Sequence, residues 1–158
     1  MNRLGRRLRY AAVAGIALVI AASTAGSGVA TPPVDATSVL LGQGVVRSSD
    51  QIRSHAGTDV VVAKNTFAPD GSSGWHSHPG IAVVVVRKGE ITLATEPIGG
   101  GPCRVHTYHA GETFLEHPAN LQNGINRGDR TTVLIVTFFR VPHGGSARID
   151  QPDPGNCP

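Results

Sequence analysis

The chain has 158 residues, with 14 Lys and Arg against 11 Asp and Glu, a formal charge of +3, 40% apolar residues and 16% charged ones. The basic excess is not spread evenly: Arg3, Arg6, Arg7 and Arg9 fall within residues 1–30, which hold no acidic residue, so the remainder carries 10 basic against 11 acidic side chains. That near-neutral remainder lacks the electrostatic footprint of a nucleic-acid binder, and aromatic residues at 4% are too few for base stacking.

Residues 1–30 have the three parts of a secretory signal. Residues 1–10 hold the four arginines, residues 11–22 are apolar without interruption, and residues 23–30 are rich in small side chains. Gly28 and Ala30 suit the small positions before a cut, so cleavage is expected after Ala30. An apolar run of 12 residues is too short to cross a hydrocarbon core that needs about 20. The mature protein is therefore expected outside the cytoplasm, secreted or in the cell envelope, with no stable membrane anchor. Arg6-Arg7 raises the twin-arginine route, although Arg9 stands where that signal usually has an apolar residue. No cysteine stands directly after the apolar run, which argues against a lipid anchor.

Cleavage there leaves 128 residues, enough for one domain with its own core. The expected layout is a linker over 31–38, a barrel over 39–143 and a Pro-rich tail over 144–158. The only two cysteines are Cys103 and Cys157, and an even pair in an exported protein is expected as a disulfide that ties the tail to the body. No Cys-x-x-Cys supports a metal-thiolate alternative.

In chain order, strand signals rich in Val, Ile and Thr cover residues 39–46, 59–67, 81–87, 90–95, 104–108 and 131–141. Turn signals separate them, at Pro69-Asp70-Gly71 and Lys88-Gly89. Residues 48–55 could form a short helix. The runs at 81–86 and 133–136 are continuously apolar, as expected of strands covered on both faces. The pattern implies an all-β antiparallel barrel or sandwich.

The chemistry concentrates at Gly74-Trp75-His76-Ser77-His78-Pro79-Gly80. Histidines at i and i+2 on a strand project to one face, so both imidazoles can reach one point inside a barrel. His106 and His109, three apart, alternate to opposite faces and do not form such a pair. No Gly-x-Ser-x-Gly elbow, phosphate loop or His-Glu-x-x-His is present. Trp75 is expected in core or dimer packing, and Phe67, Phe114, Phe138 and Phe139 in the core.

These residues resemble the small single-domain cupins. His76, His78 and Gly89 fit the spacing of that family's first motif, and Gly111 and Asn126 fit the second without gaps. The resemblance implies a cupin-like antiparallel β-barrel (a double-stranded β-helix, or jelly roll), often a dimer, with a divalent metal such as Fe, Mn, Zn or Ni near one mouth. The tail over 149–158 is similar to that of exported cupins of this size. Four positions depart from the family pattern. Ala82 stands at the first-motif glutamate and Gln122 at the second-motif histidine, with His117 and Ala119 at the usual Pro and Gly. The expected metal ligands are thus His76 and His78, joined by Gln122 through a neutral amide oxygen or by Glu116 as the nearest carboxylate, with His117, more often a surface histidine than a ligand, as a further side chain near the turn. With Glu116 the set becomes two histidines and one carboxylate, which suits non-haem Fe(II). Two functions follow: a binding module for a metal or small polar ligand, or a metal-dependent oxygenase or isomerase acting on a small polar molecule.

Overall fold

The computed structural model describes residues 29–45, 56–97 and 99–157. Residues 1–28 of the expected signal segment, and residues 48–55 expected as a short helix, lie outside the described residues. The rest is all-β. The strands are β1 (Val34–Val45), β2 (Thr58–Ser72), β3 (His76–Ser77), β4 (Ala82–Lys88), β5 (Glu90–Glu96), β6 (Arg104–His109), β7 (Thr113–Glu116), β8 (Leu121–Ile125), β9 (Thr132–Pro142) and β10 (Ile149–Asp150). Every pairing is antiparallel, in the order β10-β3-β8-β2-β9-β4-β7, with β1 added on β2 and with β5 joining β8 to β6. The result is a nearly closed antiparallel barrel with the jelly-roll character of the cupin fold.

Alternation sets the inside of this barrel. On β4, Ala82, Val84 and Val86 point inward and are buried, whereas Val85 between them is 38% exposed. The run at 81–86 is therefore covered on one face, not on both as its apolar composition suggested; a single-layered barrel wall has one interior. Phe67, Val84, Ile91, Leu93, Phe114, Leu134 and Val136 make the core, with Tyr108 and Phe138 packed against it. Trp75 is buried as well.

Three boundaries differ from the sequence reading. β1 begins at Val34, so residues 34–38, expected as linker, pair with β2. The expected turn at Pro69-Asp70-Gly71 does not reverse the chain. β2 runs through it to Ser72 as a kinked corner, with Asp70 at φ 60°. The corner is laced to the end of β8, as Asp70 N donates to Asn126 O (2.9 Å) and Asn126 N to Gly71 O (2.8 Å). Finally, β7 and β8 occupy segments that gave no strand signal.

Two residues of the motif spacing have structural reasons. Gly89 turns β4 into β5 at φ 76°, and a Cβ there would lie 2.4 Å from Thr132 Oγ1, so only glycine fits. Asn126 is fully buried, and its amide nitrogen donates to the carbonyls of Phe67, Ala68 and Arg130 at 3.2, 2.9 and 2.8 Å. Its oxygen accepts from Gly128 N (3.1 Å). Asn126→Ala would strand these buried groups, and urea denaturation is expected to show a loss of about 3 kcal/mol. An unchanged midpoint would remove this residue from the corner's support.

The two ends of the described chain are fastened together beside the histidines. Thr31 N donates to Gln151 O (3.0 Å), Gln151 N to Trp75 O (2.9 Å), and Trp75 N to Thr31 Oγ1 (2.6 Å). β10 pairs with β3, Asp150 opposite His76 and Ile149 opposite Ser77. The disulfide expected from the cysteine count is formed, Cys103 to Cys157, with Cα atoms 5.3 Å apart. At the other end of β2, buried Asp59 accepts from the Gln43 amide, from His143 Nδ1 (2.9 Å) and from Gly144 N (3.2 Å), which ties β1 to the turn after β9. The His143 and Gln43 hydrogen bonds hold the Asp59 carboxyl below its ordinary pKa.

Candidate metal centre

β3 is only two residues long, yet it places both histidines. His76 sits on the strand between β10 and β8, and His78 lies just beyond its end. Both are buried, at 6% and 4% exposure, with ring centroids 4.8 Å apart. Each Nδ1 faces a backbone carbonyl: His76 toward Gly74 O (2.8 Å) and His78 toward Ala147 O (2.6 Å). A carbonyl only accepts, so each Nδ1 carries a proton; in the His76 ring this leaves the Nε2 lone pair free, whereas His78 Nε2 faces the Glu116 carboxylate (3.0 Å), with which it shares a proton or a cation. This is the arrangement by which a second hydrogen bond fixes a ligating imidazole in one tautomer. Burial pushes His76 down to about 4, against the opposing pull of the Glu116 charge, so its ring is neutral at neutral pH.

Glu116 completes the set. On β7 it lies directly opposite Ala82 of β4, and alternation with buried Phe114 turns it into the barrel at 8% exposure. Its Oε2 is 3.0 Å from His78 Nε2. The donor atoms of His76, His78 and Glu116 all lie within 4.8 Å of one another. Three donors held at about 2.1 Å on one ion stand about 3 to 3.6 Å apart, so the widest pair closes by up to about 1 to 2 Å. The residues present fit a divalent ion.

Of the other residues singled out by sequence, Gln122 comes closest. It is directly opposite His76 in the β3–β8 pair, 1% exposed, and its Nε2 has no hydrogen-bond partner among the described residues. His117 is exposed and stands outside the cluster. His109 makes surface contacts with Glu90 (3.7 Å) and Glu112 (3.5 Å), and His106 packs on Tyr108. Phe138 lies against His78, with ring centroids 5.0 Å apart.

The histidines open onto a cavity of about 270 Å³ between β1, β2 and the segment that follows β9. Its wall is largely apolar, through Ala36, Leu40, Val61, Phe67 and Phe138, with His76 and His78 at one side and Arg148 beside Ala147. A smaller void of about 40 Å³ on the inner side is lined by the same two histidines and by Glu116. Sequence reading missed Arg148, which follows the last long strand in a segment with no periodic signal.

Residues 63–138 match the family model for the cupin domain. Solved structures with a similar fold include an oxalate decarboxylase studied for its substrate binding mode and reaction specificity switch, at 18% identity and TM-score 0.56 over 74% of this chain and 28% of that one. The oxalate decarboxylase of Lactobacillus farciminis in a formate complex shares 14% identity at TM-score 0.55, over 76% of this chain and 33% of that one. Recombinant oxalate oxidase in complex with glycolate shares 20% identity at TM-score 0.53, over 68% and 53%. The chain thus spans about half of the oxidase and about a third or less of the decarboxylases. No curated protein matches. At such identities the solved structures speak to the fold alone. The family match and the jelly-roll barrel agree, and this chain carries a domain of the cupin superfamily.

Proposed function

We propose that this protein is exported, holds one divalent metal ion on His76, His78 and Glu116, and presents it to a small-molecule ligand in the adjoining cavity. One observation carries the reading: two buried imidazoles, each with Nδ1 tied to a backbone carbonyl, converge with a buried carboxylate. Removing three such groups from water without a shared cation or proton is costly. Two nitrogens and one carboxylate suit Fe, Mn, Zn or Ni. A bound ion would supply Lewis acidity or a binding position for the ligand. The chain's own part is to keep the imidazoles in one tautomer, exclude water with Phe138 and the core, and orient Glu116 from β7. The disulfide and the four arginines of residues 1–30 support export.

The catalytic reading, a metal-dependent oxygenase or isomerase acting on a small polar molecule, has one observation in its favour. The cavity meets the donor set on the histidine side, so a molecule held there lies against the proposed ion. Elemental analysis of the exported protein is expected to find near one equivalent of metal, absent from His76→Ala/His78→Ala. Protein that stays metal-free after loading with Fe, Mn, Zn, Ni and Cu would remove both readings. Oxygen uptake by the Fe-loaded protein with small polar substrates then separates an oxygenase from a binding module.

A further inference from the structure

Among the described residues, three buried side-chain polar atoms have no hydrogen-bond partner: Asn65 Oδ1, Gln122 Nε2 and Arg148 Nη2. They are not scattered. Asn65 and Arg148 line the large cavity, and Gln122 stands opposite His76. Buried polar groups in folded proteins are almost always paired, and the two orphaned residues on the wall of one cavity, Asn65 and Arg148, mark partners for a ligand.

Arg148 is the orphan that says most about the ligand. Its Nε donates to Asp150 Oδ1 (2.5 Å), which fixes the planar guanidinium by one edge. Nη2 is turned away from bulk water and finds no acceptor, and the side chain as a whole is only 26% exposed. The backbone holds it in place, since Ser146 Oγ accepts from Arg148 N (3.0 Å) and β10 follows on β3. A guanidinium carries five donors and no acceptor, so the partner it lacks is an acceptor, and a charged one pairs best. The wall beyond it is aliphatic and aromatic, from Ala36 and Leu40 on β1 to Val61 and Phe67 on β2.

We propose that Arg148 anchors the head of a small organic carboxylate whose apolar body lies along β1 and β2. The cavity, about 270 Å³, has room for a small organic acid. Asn65 Oδ1 accepts from any hydroxyl or amine that the body carries. The anchor comes from the tail segment, outside the spacing that identifies the barrel, so it is a property of this chain's own tail.

The inference rests on reading this cavity as the ligand pocket of the His76, His78 and Glu116 site, and its test is arranged so that the two can fail separately. Chelator-treated, metal-free protein is titrated with benzoate and hexanoate, each against its neutral amide, by ligand-observed NMR. The carboxylates are expected to bind about tenfold or more tighter than the amides, as a charge-assisted hydrogen bond requires. Arg148→Gln is expected to bring that ratio to about one, and Arg148→Lys to keep part of it. Equal binding of acid and amide, a preference that survives Arg148→Gln, or no binding of either pair would each overturn the proposal. If the wild-type protein takes up no metal yet shows the preference, the metal reading fails and the carboxylate anchor stands.

Discussion

Glu116→Ala is expected to lower metal affinity by at least about a hundredfold, and Ala82→Glu introduced into that variant to restore part of the loss. Of the three donors, only Glu116 brings negative charge, and it alone offsets the desolvation of a divalent ion between two neutral imidazoles. Changes even in groups that merely support a ligand cost 10- to 100-fold, so removing a ligand costs more. The rescue follows from register. Ala82 and Glu116 are directly opposite on β4 and β7, and such pairs have Cβ atoms about 5 Å apart on the same face of the sheet. A carboxylate from Ala82→Glu therefore starts from the same wall and points into the same interior. Recovery is partial because Ala82 is fully buried in the core, where added atoms cost packing. Competition titrations against a chromogenic chelator read both steps. Wild-type affinity in Glu116→Ala would take the carboxylate out of the site, and a double variant no better than the single one would show that the two positions do not exchange.

This exchange explains which part of the site was legible in the sequence. His76 and His78 declare themselves by their i, i+2 spacing ahead of an apolar strand. The carboxylate does not, because Ala82 occupies the position where spacing places it. Glu116 had one signal, its alternation with Phe114, but the four residues of β7, set between Gly111 and Pro118, are too few to establish a strand by period alone. β8 was silent for a related reason. Leu-Gln-Asn-Gly-Ile holds one amide pair and a glycine, residues poor in strand propensity, and it is held by three partner strands, β2, β3 and β5. Tertiary pairing overrides propensity there, and with β8 comes Gln122. β2, β4 and β9 were legible because each carries a run of β-branched or aromatic residues, at 60–62, 83–86 and 135–139. The corner at Pro69-Asp70-Gly71 was misread because its residues favour a turn, and what carries the strand past them is a long-range bond to Asn126. Arg148 is the extreme case: its importance lies in what surrounds its guanidinium, and no local pattern encodes that.

Replacing both cysteines, as Cys103→Ser/Cys157→Ser, is expected to cost up to about 4 kcal/mol, read as a lower urea midpoint. The bond spans a sequence separation of 54, and closing a loop of that size removes about this much free energy from the unfolded ensemble. Against the 5 to 15 kcal/mol of an ordinary domain this is a large share. The second consequence is local. The tail contributes Ala147 O to His78 Nδ1, Arg148 to the cavity wall and β10 to the flank of β3. Apart from the disulfide, it is held by hydrogen bonds, among them the two-residue β10 pairing, Gln151 N to Trp75 O, Thr31 N and Oγ1 to Gln151 O, the Gln151 side chain to Ser77 Oγ, the Ala30–Pro152 bridge and Asn156 Nδ2 to Glu96 Oε1. Without the covalent tie the tail opens more often than the barrel unfolds, and each opening frees the His78 ring to turn. Metal affinity should therefore fall by about 10-fold or more, the cost of losing a ligand's supporting hydrogen bond. The two effects part cleanly in one variant. A lower midpoint with unchanged metal affinity would mean that β10 and Gln151 hold the tail alone, whereas loss of both makes the disulfide a structural part of the metal centre.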